Sequence, residues 1–139
     1  MMTDHKHVKQ LLEACCVHQT IDSLYFGGPA LQLLSDHSSY DEVILRIEGT
    51  FELIQNGEKT VVTCETSDKL VYLTAHTHQK IASVQLIEPN DLVIVFVSGM
   101  KLRVVGDNGQ FESWKLQASV EDDKVLLVAG PDERLSLFE

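Results

Sequence analysis

The sequence predicts an α+β fold, mostly antiparallel β, made of two helix-plus-strands repeats related by a pseudo-twofold axis. Three observations predict it. An amphipathic stripe near the N-terminus gives way to short β-rich runs that continue to the end of the chain. Asn56-Gly57 stands between two alternating runs, the strongest short-range hairpin signal. The chain also resembles itself at a constant offset of sixty residues. At 139 residues, 44% apolar and 23% charged, it is expected to form one globular domain, with a first repeat over about 4–64 and a second over about 68–138. A domain of this size buries roughly 70% of the surface its unfolded chain exposes, so it needs no metal or disulfide staple.

The first element is a helix over residues 4–17. Thr3 can cap it, and Val8, Leu11, Leu12 and Cys15 fall at the spacing of one buried stripe, with Lys6, Lys9, Gln10 and Glu13 on the other side. From Ile21 the pattern changes to "IDSLYF", "GGP", "ALQLLS", "DHSSYD" and "EVILRIE", strands punctuated by turn residues. The hairpin "FELIQNGEKTVVTC" follows, and later "IASVQLI", "DLVIVFVS", "KLRVV", "FESWKL", "KVLLVA" and "RLSLF" read as further strands.

Residues 18–24, "HQTIDSL", align with 78–84, "HQKIASV": His18, Gln19, Ile21 and Ser23 recur as His78, Gln79, Ile81 and Ser83. The same offset places Pro29 on Pro89 and Gly49, Phe51 and Glu52 on Gly109, Phe111 and Glu112. A second helix is therefore expected before His78, capped by Thr66 or Ser67, with Asp68 in its first turn and Leu70, Leu73, Thr74 and Thr77 as its stripe. On such a helix His76 and His78 point roughly 200° apart, which removes a His-x-His metal site. A strand there would put both on one face and restore it. With no C-x-x-C spacing and the helical reading for His5 and His7 too, no metal or other cofactor is expected, and all six histidines are read as surface or helix-end residues. Each repeat is expected to build its own sheet, the sheets joined or packed face to face; a single distorted barrel with two outer helices is the alternative.

Twenty-one acidic against 11 basic residues give a formal net charge of -10. Such a surface repels phosphate backbones and anionic lipid heads, so neither nucleic acid nor membrane is expected as a partner, and a protein partner is expected to be basic. The three cysteines, Cys15, Cys16 and Cys64, form no disulfide framework, the longest aliphatic or aromatic run covers only residues 92–97, and "MMTDHKHVKQ" has no apolar signal core. A cytoplasmic protein follows as the expectation.

The segments "GQFESWKL" and "LLVAGPDERLSLFE" resemble a family of small bacterial proteins classed as a domain of unknown function. The family pattern is an aromatic-Glu-x-Trp strand, a hairpin and a closing Pro-x-x-x-Leu-x-apolar-aromatic segment. Here it falls on Phe111, Glu112, Trp114, Pro131, Leu135, Leu137 and Phe138. "ILRIEGTFELI" is similar to that family's midsection, and the resemblance runs from about Ile21 onward. Asp132-Glu133-Arg134 stands where the family carries a Gly-rich turn. The resemblance implies a β-rich fold and no catalytic residue.

Two functional readings follow. In the first, the chain is a non-catalytic protein-binding module, of the immunity type that neutralises a basic toxin domain. Glu121, Asp122 and Asp123 at a hairpin tip would be the partner-binding residues. The alternative is a small-ligand-binding or enzymatic domain using the cleft between the repeats. There, strand alternation in "FESWKL" sets Glu112 beside Trp114, and Glu52 is its repeat mate. No nucleophile, phosphate-loop or metalloprotease signature supports catalysis.

Overall fold

The computed structural model describes residues 5–25, 30–34, 40–63, 65–66, 69–87, 90–107, 109–131 and 134–139. Thr3, Asp4, Pro29, Cys64, Ser67, Asp68, Pro89, Asp132 and Glu133, used in the sequence reading, lie outside them.

Helix α1 (His5–Cys16) buries Val8, Leu11, Leu12, Cys15 and Cys16, the expected stripe widened by one residue. Strands β1 (Thr20–Tyr25), β2 (Ala30–Leu34), β3 (Glu42–Ile47), β4 (Phe51–Gln55) and β5 (Glu58–Val62) follow. Helix α2 (Lys69–Leu73) ends in a 3-10 turn (Thr74–His76). After it come β6 (Ile81–Ile87), β7 (Asp91–Phe96), β8 (Lys101–Val104), β9 (Trp114–Val120), β10 (Asp123–Ala129) and β11 (Leu135–Phe138). The Thr66 hydroxyl accepts the Thr63 N–H at 3.0 Å, closing a turn before α2.

Two antiparallel sheets result, one of six strands ordered β1-β2-β3-β9-β10-β11 and one of five ordered β5-β4-β8-β7-β6. Neither is a closed barrel. The expectation that each half builds its own sheet is corrected here. The three strands after α1 lie in the first sheet and the next two in the second. The three strands after α2 lie in the second sheet and the last three, β9, β10 and β11, in the first. The reason is packing: alternation along a strand fixes which face is apolar and leaves open which neighbour pairs with it. Helix α1 packs on β6 and α2 on β1, so the helices cross between the sheets as well.

The sheets meet where β1 and β6 begin. The His18 N–H donates to the Ile81 carbonyl at 2.9 Å and the His78 N–H to the Ile21 carbonyl at 2.8 Å. Ile21 N–H donates to Gln79 and Ile81 N–H to Gln19, at 3.0 and 2.8 Å. Both strands then carry a register shift at the same place, between Ile21 and Ser23 and between Ile81 and Ser83.

One apolar core fills the interior. Phe51, Phe96, Leu102 and Val104 of the second sheet, Leu45, Ile47, Trp114 and Leu116 of the first, and Leu12 and Leu73 of the helices belong to one buried cluster. Large side chains face across neighbouring strands: Ile47 opposes Trp114 between β3 and β9, and Phe51 opposes Val104 between β4 and β8.

That pairing also corrects the register of the second half. "FESWKL" does not form a strand throughout: β9 starts at Trp114, while Phe111 is 71% exposed in a turn and Phe51 is fully buried in β4. Trp114, not Phe111, opens its strand as Phe51 opens β4. The segment joining β8 to β9 is longer than that joining β3 to β4, so Phe111 and Glu112 do not lie in β9 as Phe51 and Glu52 lie in β4.

Candidate functional site

Trp114 is a core residue. Its ring is inaccessible to solvent and its indole Nε1–H donates to the Asn90 carbonyl at 2.9 Å, which satisfies the one polar atom that burial would otherwise strand. Around it lies a tight polar knot. Asp91 is buried; its carboxylate accepts the Gly106 N–H at 2.7 Å and the Arg103 Nε–H at 2.7 Å. Gly106 is required by space: a Cβ there would stand 2.2 Å from the Asn90 carbonyl carbon and oxygen.

Trp114 therefore offers no surface beside Glu52 or Glu112. Glu52 lies on β4 opposite Arg103, with Lys59 Nζ 3.6 Å from its carboxylate. Glu112 precedes β9 and pairs with Lys115 at 2.8 Å. Glu52 lies in the second sheet and Glu112 in the segment leading into β9, while Trp114, expected on one strand face with Glu112, belongs to the buried core.

The acidic tip is assembled more fully than its sequence suggested. Val120 pairs with Asp123, so Glu121 and Asp122 form a two-residue turn, and Glu121 is held at a φ of 53°. Pairing of β3 with β9 brings a second pair of acids to the same end: Glu42 opposes Ser119, and the Asp41 N–H donates to the Ser119 carbonyl at 2.8 Å. The Glu121 N–H donates to Asp41 Oδ2 at 3.4 Å, which ties the two turns together. Asp41, Glu42, Glu121, Asp122 and Asp123 are all exposed. Asp41 and Glu42 escaped the sequence reading because a pairing across more than half the chain leaves no local signal.

The helix ends hold the groups that could react. Burial pushes the Cys15 thiol up to about 12 and the Cys16 thiol higher still, with Cys15 adding repulsion, so neither forms a thiolate near neutrality. His76, expected at a surface or helix end, is completely buried at the end of the 3-10 turn. Its ring stacks on Phe96 at 4.7 Å between centroids, and neither ring nitrogen has a hydrogen-bond partner among the described residues. Burial lowers its pKa to about 4. His78 is exposed, so the two histidines face apart. Among the described residues, no group of three or more His, Cys, Asp or Glu is placed to hold a metal ion, and no helix is long and apolar enough to cross a membrane.

No protein-family model, no curated protein and no solved structure matches the chain.

Proposed function

We propose that this chain is a non-catalytic protein-binding module that presents the acidic end of its six-stranded sheet to a basic protein, in the manner of an immunity protein that masks a basic toxin domain. The observation that carries the reading is the conformation of Glu121. A non-glycine residue in the left-handed region costs about 1–2 kcal/mol, and Gly or Asn would occupy that turn position more cheaply. An exposed glutamate kept there, beside Asp122 and Asp123 and bonded to the Asp41 turn, is a charge retained against backbone preference. Five exposed carboxylates at one end of a sheet attract a cationic surface and speed its approach, an effect screened over about 8 Å at physiological ionic strength.

The scaffold in this proposal is a duplicated unit. Support comes from the reciprocal bonds of His18 and His78, their φ values of 69° and 66°, the shared shifts in β1 and β6, and the matching exchange of strands between sheets. The duplication runs with insertions rather than at a fixed offset, since Phe51 corresponds to Trp114.

The test is affinity capture at low and moderate salt with the natural chain and with Glu121, Asp122 and Asp123 all replaced by Ser, followed by association kinetics on the purified pair. A basic partner whose association rate falls by about tenfold in the variant at low salt, with little change at high salt, is expected. A partner bound at the same rate by both chains would remove the acidic end from the function.

A further inference from the structure

The two sheets differ in one respect: β10 has a neighbour on its outer edge and β5 has none among the described residues. Each is the second strand of a hairpin with a two-residue turn, and each lies on the far side of its sheet from the β1/β6 contact. On β10 the edge is covered by β11, which pairs Leu126 with Phe138 and Val128 with Ser136 while Leu135 and Leu137 pack against the core. On β5, closure of the hairpin through Gln55 and Glu58 turns the N–H and C=O groups of Glu58, Thr60 and Val62 toward β4. It leaves those of Lys59 and Val61 facing outward. Lys59 and Val61 are exposed, Val61 by 51%.

Beside this edge, on the face that Leu53 and Thr60 share, an open cavity of about 240 Å³ is lined by Leu53, Gln55, Glu58, Thr60, Ala75 and Met100. It occupies the place against β5 that corresponds to the side on which Leu137 packs beside β10.

We propose that the outer edge of β5 is a peptide-binding site, which takes an extended segment of another protein as a sixth, antiparallel strand of the second sheet. The bound segment pairs its backbone with Lys59 and Val61 and carries apolar side chains at alternate positions, the one opposite Thr60 entering the cavity. The chain's own β11 shows the chemistry that fits, since Leu-Ser-Leu-Phe already sits on the matching edge. Edge pairing of this kind draws its affinity from main-chain hydrogen bonds and its selectivity from the side chain that fills the pocket. The site uses the correspondence of β5 with β10 and is independent of the acidic end.

The probe is a synthetic peptide of residues 134–139, Arg-Leu-Ser-Leu-Phe-Glu, acetylated and amidated so that it carries no net charge, titrated into the isotope-labelled intact protein. Saturable shifts and slowed exchange at the Lys59 and Val61 amides are expected. Val61→Pro, which removes an outward N–H and spares the bonds to β4, weakens binding at least about tenfold. Ala75→Trp, which fills the cavity and leaves β5 untouched, weakens it comparably. Replacing Glu121, Asp122 and Asp123 with Ser leaves peptide binding unchanged, so failure here and failure of the acidic-end reading are separable. Absence of peptide-dependent change at Lys59 and Val61, or perturbation confined to β10 and β11, overturns the proposal. So does protection of the β5 amides that rises with protein concentration alone, which assigns the edge to a second copy of the chain.

Discussion

His18 and His78 stand in the same left-handed conformation, each two residues after a helical segment, and each donates its backbone N–H to the first isoleucine of the other's strand. The geometry, rather than the imidazole, is what the position uses, since both side chains are exposed. A β-branched residue is costly there. His18→Val and His78→Val should each lower stability by about 1–2 kcal/mol in urea unfolding, and by amounts within about 0.5 kcal/mol of one another. Unequal costs would count against the duplicated scaffold.

His76 makes stability depend on pH. Its folded pKa, lowered to about 4 by burial, lies below the ordinary histidine value of 6.5. The unfolded chain therefore binds a proton between those values that the folded chain refuses. Stability is full above the unfolded value and is lost as pH falls toward 4, by about 3 kcal/mol at most. His76→Leu should flatten that part of the stability profile, measured by denaturant unfolding between pH 7 and 4.5, relative to the natural chain.

The knot around Asp91 should be intolerant of small changes. Gly106→Ala forces a methyl into the Asn90 carbonyl and should cost about 3 kcal/mol or more. Asp91→Ala strands the Gly106 N–H and frees Arg103, at about 2–3 kcal/mol. Thermal unfolding of the two variants measures both.

Trp114 should report on the core and not on ligands. Its emission should be blue-shifted and resistant to iodide and acrylamide until the chain unfolds, because the ring is inaccessible. Ready quenching in the native state would mean that a solvent path reaches it.

Glu121→Gly relieves the left-handed strain and should stabilise the chain by about 0.5–1 kcal/mol while slowing association with a basic partner. Gain in stability without loss in association rate would show that the glutamate serves the turn alone.

The parts of this fold that sequence reveals are those decided locally. The stripe Val8, Leu11, Leu12, Cys15 specifies α1, and Asn56-Gly57 specifies the β4–β5 turn, where both residues take positive φ. The tip at Glu121–Asp123 was likewise visible as a break between alternating runs. What escaped is decided by distant partners. His76 is buried because Phe96, twenty residues on, offers a ring to stack against. Trp114 rather than Phe111 opens β9 because Ile47 and Ala129 flank it in the sheet. Asp41 and Glu42 join the acidic end only through the pairing of β3 with β9. Glu112 stands before β9 begins, so the strand alternation that sets it on one face with Trp114 does not reach it, a boundary fixed by distant pairing.

The exchange of strands between sheets sets the order of events during synthesis. β3 meets its second neighbour only when Trp114–Val120 has left the ribosome, and β4 waits for Lys101–Val104. An emerging first half thus carries two apolar sheet edges with nothing to pair with, an invitation to aggregation that a nascent-chain chaperone would have to cover. Chain closure over such separations is slow, on the order of milliseconds to seconds. Once closed, neither half can leave without opening both sheets.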